Sequence, residues 1–122
     1  MLKLFRSQTT SSQIILNNYD FNEKPLKYCE AVFNLKNYHL SNVRAIIPTE
    51  EMMPDEDKII TKFSDVSEIL KKGRELSMCL FSGKYENEDV DICVDFDSHL
   101  LNICSKKAEV IDVLKNAIEE SI

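Results

Sequence analysis

A chain of 122 residues fits a single domain, expected over 1–122, and can bury a core without disulfides or a structural metal. Its formal charge of −6 argues against nucleic-acid binding, whose affinity rests on Lys and Arg neutralising phosphate. The charge is uneven: residues 1–47 hold six Lys/Arg against three Asp/Glu, giving +3, and residues 48–122 hold nine against eighteen, giving −9. Such asymmetry speaks of partners and solubility rather than of fold.

Met1-Leu2-Lys3-Leu4-Phe5-Arg6 runs into the polar stretch Ser7–Gln13, too early for the roughly 7–15 apolar residues of a secretory signal. No apolar run nears the roughly 20 residues of a membrane-spanning helix. A cytoplasmic protein with no membrane partner is the expectation. Cys29, Cys79, Cys93 and Cys104 contain no CxxC pair and are expected as free thiols.

In chain order, 7–13 reads as loop and Ile14–Leu16 as a short strand broken by Asn17, Asn18 and Asp20. Pro25 suits a helix start, and Leu26, Cys29, Val32 and Phe33 follow at helical spacing, although Cys29, Ala31, Phe33 and Leu35 also alternate. Val43–Ile47 reads as a strand ending at Pro48, residues 49–57 as an acidic loop, and Lys58–Phe63 as another strand. A helix over 65–73 is expected to open on an Asp65–Glu68 capping box and to stop at Gly73.

The C-terminal half is the most regular. Leu76, Met78 and Leu80 alternate with Ser77, Cys79 and Phe81, and a loop is expected from Gly83 to Glu88. Val90, Ile92, Val94 and Phe96 then alternate with Asp89, Asp91, Cys93, Asp95 and Asp97, the period of a strand with one apolar face. A turn at Asp97-Ser98 pairs Phe96 with His99, Val94 with Leu101 and Ile92 with Ile103, which keeps all apolar partners on one face. Ser105 is placed to cap a last helix with the stripe Val110, Ile111, Leu114, Ala117 and Ile118. The pattern predicts an α+β fold: a mainly antiparallel sheet with helices packed on one face.

Three constellations could carry chemistry. Glu86, Glu88, Asp89, Asp91, Asp95 and Asp97 form an acid run without a base. It reads as a solvated sheet face, as a docking surface for a basic partner, or as a divalent-cation site, which a flat strand rarely supplies alone. The register sketched above puts Cys79, Cys93 and Cys104 beside Phe81 and Leu100 on that same face. Three thiols there suggest either small apolar packing groups or zinc ligands, and packing is favoured because close ligand pairs are missing. His39 and His99 show no spacing that couples them to a nucleophile.

GxGxxG, P-loop, HExxH, EF-hand and GxSxG motifs are absent. The expectation is therefore a non-catalytic binding domain without cofactor or metal. Its sharpest form is an inhibitor or immunity-type protein that neutralises a basic partner, such as a bacterial toxin or nuclease. The partner would meet Glu86, Glu88, Asp89, Asp91, Asp95 and Asp97 around an apolar centre of Phe81 and Leu100. The alternatives are a small Cys/His-dependent enzyme, or a structural subunit that self-associates through the same sheet face.

Overall fold

The computed structural model describes residues 10–15, 26–47, 56–71 and 76–121. They form strands β1 (Thr10–Ile15), β2 (Tyr38–Ile47), β3 (Glu56–Ile60), β4 (Met78–Tyr85), β5 (Glu88–Asp95) and β6 (Leu100–Ser105). The helices among them are α1 (Leu26–Phe33), α2 (Phe63–Lys71) and α3 (Ala108–Ser121). All strand pairs are antiparallel, in the order β1-β6-β5-β4-β2-β3. This is the α+β architecture that the hydrophobic patterns predict. None of the described helices is long and apolar enough to cross a membrane.

The expected β5–β6 register holds at its centre, with Val94 opposite Leu101 and Ile92 opposite Ile103. Val90, Ile92, Val94, Leu101 and Ile103 are buried, and Val110, Ile111, Leu114 and Ile118 of α3 are buried in the same core. Phe96 departs from the expectation. The strands stop at Asp95 and Leu100, so residues 96–99 form the connection, with His99 at φ 55°. Phe96 is only half-buried there, and its N–H donates to Ser77 O.

Between Cys29 and Leu35 the helical period prevails over the alternating one: α1 buries Tyr28, Cys29, Ala31 and Val32. Aromatic contacts tie it to its neighbours, with Phe33 edge-on to Phe63 at 6.0 Å and to Phe81 at 5.2 Å. The expected start at Pro25 lies outside the described residues.

Thr10–Gln13, expected as loop, belong to the edge strand β1. Its backbone pairs with β6 along all six residues, so the peptide groups on that side find partners whatever the side chains are. β2 begins at Tyr38, five residues before the expected strand, and β3 covers 56–60 instead of 58–63. Residues 49–55 of the expected acidic loop and the expected helix stop at Gly73 lie outside the described residues.

The start of α2 corrects the expected capping box. The helix begins at Phe63, so Asp65 sits inside its first turn and its carboxylate reaches back. It accepts the Thr61 N–H, the Lys62 N–H and the Thr61 hydroxyl, each at 3.2 Å. These bonds, the Thr61 amide first, hold the Asp65 carboxyl below the usual carboxylate range. The expected cap at Ser105 is displaced: Lys107 O accepts the Ile111 N–H at 3.3 Å and so holds the N-cap position of α3, while Ser105 Oγ accepts the Lys107 N–H at 3.3 Å from two residues further out.

The expected loop from Gly83 to Glu88 shrinks to a two-residue turn. Tyr85 pairs with Glu88, and Glu86 and Asn87 have φ 48° and 68°, the left-handed pair of a type I′ hairpin turn. Gly83 lies inside β4, beside an irregularity in β2 between Leu40 and Asn42. A Cβ at Gly83 would lie 2.4 Å from the His39 carbonyl oxygen, so the two backbones approach too closely there for any side chain.

Candidate acidic binding surface

The β4–β5 register decides which residues share a sheet face. Met78 stands opposite Asp95, Leu80 opposite Cys93 and Ser82 opposite Asp91; Cys79, Phe81 and Gly83 stand opposite Val94, Ile92 and Val90. Cys79 and Phe81 therefore lie on the helix-covered side. This corrects the expected position of Phe81 as the apolar centre of an open face: it is 1% exposed and packs on Phe33. Leu100 does lie on the side away from the helices, half-buried and opposite Asp95.

The same register separates the cysteines. Cys93 and Cys104 lie on the side away from the helices, but Cys79 lies across the sheet from them and hydrogen-bonds the Cys29 thiol in the core. That corrects the expected cluster of Cys79, Cys93 and Cys104, which cannot converge on one ion. Among the described residues no three His, Cys, Asp or Glu side chains converge as metal ligands. None of the four cysteines is in a disulfide, and all four are buried. The Cys79 hydrogen bond, followed by burial, pushes the Cys29 thiol well above its ordinary range, and burial pushes Cys93 up to about 12.

The acid run is divided along the length of β5. At one end, Glu86 is exposed in the hairpin turn, Glu88 pairs with Lys107 at 3.3 Å, and Asp89 pairs with Lys84 of β4 at 3.9 Å. At the other end, Asp97 is exposed in the 96–99 connection. Asp95 is half-buried, and its carboxylate accepts the N–H groups of Asp97 at 3.1 Å and Ser98 at 3.0 Å, closing the turn. Between the ends, Asp91 is 8% exposed, enclosed at the middle of the sheet between Ser82 and Cys104. The expected exposed position of Asp91 is thereby corrected, and the six acids do not make one continuous face.

The histidines do not meet. His39 is opposite Lys84, near the β4–β5 turn, whereas His99 lies in the β5–β6 connection at the other end of the strands. Of the basic residues of the N-terminal third, Lys27 holds its ammonium over the Tyr28 ring at 5.6 Å and Lys36 is exposed; Lys24 lies outside the described residues.

What the sequence did not bring together is the start of α3 and the β4–β5 turn. An open groove of about 220 Å³ runs between them, lined by Tyr85, Glu86, Glu88, Lys107, Glu109, Val110 and Val113. Three carboxylates against one ammonium give it a formal charge of −2. Val113 is 49% exposed at its side, an unusual position for a large apolar residue on α3. Glu109 and Val113 are four residues apart and so share a helix face, but only the fold brings that face to Glu86 and Glu88. Its lining sets the apolar Val110 and Val113 beside the carboxylates of Glu86, Glu88 and Glu109, with Lys107 paired to Glu88.

Compared with protein-family models, with curated proteins and with solved structures, the chain matches none.

Proposed function

We propose that this protein is a non-catalytic binding domain that engages a basic protein partner through the corner formed by the β4–β5 turn and the start of α3. The observation that carries this reading is the groove whose lining joins Glu86, Glu88 and Glu109 with Val110 and Val113. Charges at the rim of an interface steer association, and apolar surface beside them supplies the contact that keeps the partner bound. An inhibitor or immunity-type role, masking a basic toxin or nuclease, is the specific form of this proposal. It rests on the surplus of acid over residues 48–122 and on the acidic character of this corner.

The test is capture from an extract of the source cell at low and high salt, with the wild-type chain and with Glu86→Lys/Glu109→Lys. Both positions are exposed, so the double variant is expected to fold. The expected result is a basic protein retained at low salt, released as salt rises and lost with the double variant. Purified, that protein should associate more slowly with the variant, because rim charge chiefly sets on-rate and salt dependence. A captured protein that binds the variant as well as the wild type would overturn the assignment of this corner.

A further inference from the structure

The core holds a pair of thiols that the proposed function does not use. Cys29 of α1 and Cys79 of β4 are 50 positions apart in the chain, each 0% exposed, and joined by a thiol–thiol hydrogen bond. On the sheet Cys79 stands beside Ala45, a second small side chain of the core, so the helix comes close enough there for the two sulfurs to meet. The other two cysteines are placed differently. On the opposite side of the sheet Cys93 stands opposite Asn102 and Cys104 opposite Asp91, which makes the two cysteines diagonal neighbours across β5 and β6. Diagonal neighbours lie about 7–8 Å apart, whereas a disulfide holds its Cβ atoms at about 3.5–4.5 Å.

We propose that Cys29 and Cys79 form a redox-sensitive clamp: oxidised to a disulfide, they tie α1 covalently to β4, and reduced, they leave the helix held by packing alone. The oxidant is a small-molecule disulfide. A thiolate of the pair attacks one of its sulfurs and expels one small thiol, giving a mixed disulfide. The second thiolate then attacks the protein sulfur and expels the other small thiol. Both protein thiols are oxidised, the S–S bond forms between their Sγ atoms, and the small disulfide is reduced to two thiols that take up the two protons.

The fold sets the rate of this exchange. The thiolate is the attacking species, and the hydrogen bond and burial keep Cys29 protonated in the closed fold. The exchange therefore proceeds when α1 lifts from the sheet. At eight residues, α1 is shorter than the roughly 12–15 residues that sustain a helix alone, so its attachment depends on packing and its opening is a local event. The clamp is independent of the acidic groove, whose lining contains neither cysteine.

The experiment incubates the full chain in glutathione buffers of rising glutathione-disulfide fraction, quenches with acid, alkylates the remaining thiols under denaturing conditions and maps the peptides by mass spectrometry. An internal link between Cys29 and Cys79 should appear, with Cys93 and Cys104 alkylated, and excess reductant should remove it. Cys93→Ala/Cys104→Ala should keep the link and Cys79→Ala should lose it. Amide hydrogen exchange across α1 should slow by about tenfold or more in the oxidised chain, because the link suppresses local opening. Four alkylated thiols at every buffer ratio overturn the proposal, as do glutathione adducts alone or a link that involves Cys93 or Cys104. A Cys29–Cys79 link that leaves exchange in α1 unchanged overturns the clamp as well.

Discussion

Tyr38 and Val90 are 52 residues apart in the chain and two strands apart in the sheet, yet the Tyr38 hydroxyl donates a hydrogen bond to the Val90 carbonyl oxygen at 2.8 Å inside the buried core. The bond links β2 to β5 across β4, at the end of the sheet that carries the β4–β5 turn. It also resolves a burial problem. Tyr38 is 7% exposed, and a buried phenol needs a partner.

Replacing Tyr38 with Phe keeps the ring and removes the donor. A buried hydrogen bond contributes about 0.5–1.5 kcal/mol net, and leaving a buried acceptor without its donor raises the cost to about 1–3 kcal/mol. Urea denaturation of Tyr38→Phe should therefore show a lower midpoint with an unchanged slope. Equal midpoints would mean that the hydroxyl contributes nothing in solution.

Asp89 and Asp91 are alternate residues of one strand and point to the same side, but their surroundings differ. The Asp89 side chain is 49% exposed, whereas the Asp91 residue is 8% exposed. Asp89→Lys should alter stability by no more than about 1 kcal/mol, the scale of an exposed ion pair such as Lys84–Asp89. Asp91→Lys places a larger cation in an enclosed site and should cost about 3–5 kcal/mol. Thermal melts of the two variants followed by circular dichroism would test the contrast, and similar melting temperatures would contradict the burial of Asp91.

Cys93 gives a pH dependence with a definite sign. Burial, with a smaller contribution from Asp95, raises its thiol from an ordinary value of 9.0 to about 12 in the folded chain. Above pH 9 the unfolded chain releases this proton and the folded chain retains it, so the unfolded state binds fewer protons. The stability that Cys93 contributes is then fully present below pH 9 and is lost as pH rises toward 12, with a slope of up to about 1.4 kcal/mol per pH unit. Cys93→Ala should flatten the alkaline arm of the stability profile relative to wild type. Parallel profiles for the two chains would show that the thiol ionises equally easily in both states.

The sequence by itself determined the elements whose apolar residues recur at a single period. In β5, Val90, Ile92 and Val94 alternate with polar residues, and in α3, Val110, Ile111, Leu114 and Ile118 return every three or four positions. Each pattern fits one kind of element and shows which side turns inward. The β5–β6 pairing was legible for the same reason, since a slip of one residue would turn the apolar side chains outward.

In β4 the sequence was ambiguous. Met78 and Leu80 are as apolar as Cys79 and Phe81, so composition cannot say which pair faces the core. The contact of Phe81 with Phe33, 48 positions earlier in the chain, belongs to the tertiary structure. The first four residues of β1 were hidden, unlike Ile14 and Ile15, because Thr10, Ser11, Ser12 and Gln13 have no apolar period, and their place in the sheet depends on backbone bonds to β6, which carry no side-chain signature. The acid run is continuous in the sequence, but adjacency along the chain does not set adjacency or exposure in space. The fold encloses Asp91, uses Asp95 to close a turn, and brings Glu109 from the last helix to Glu86 and Glu88. Periodicity encodes which way a side chain points relative to its own strand or helix. Which surfaces then meet is set by long-range packing, and the candidate binding corner exists only at that level.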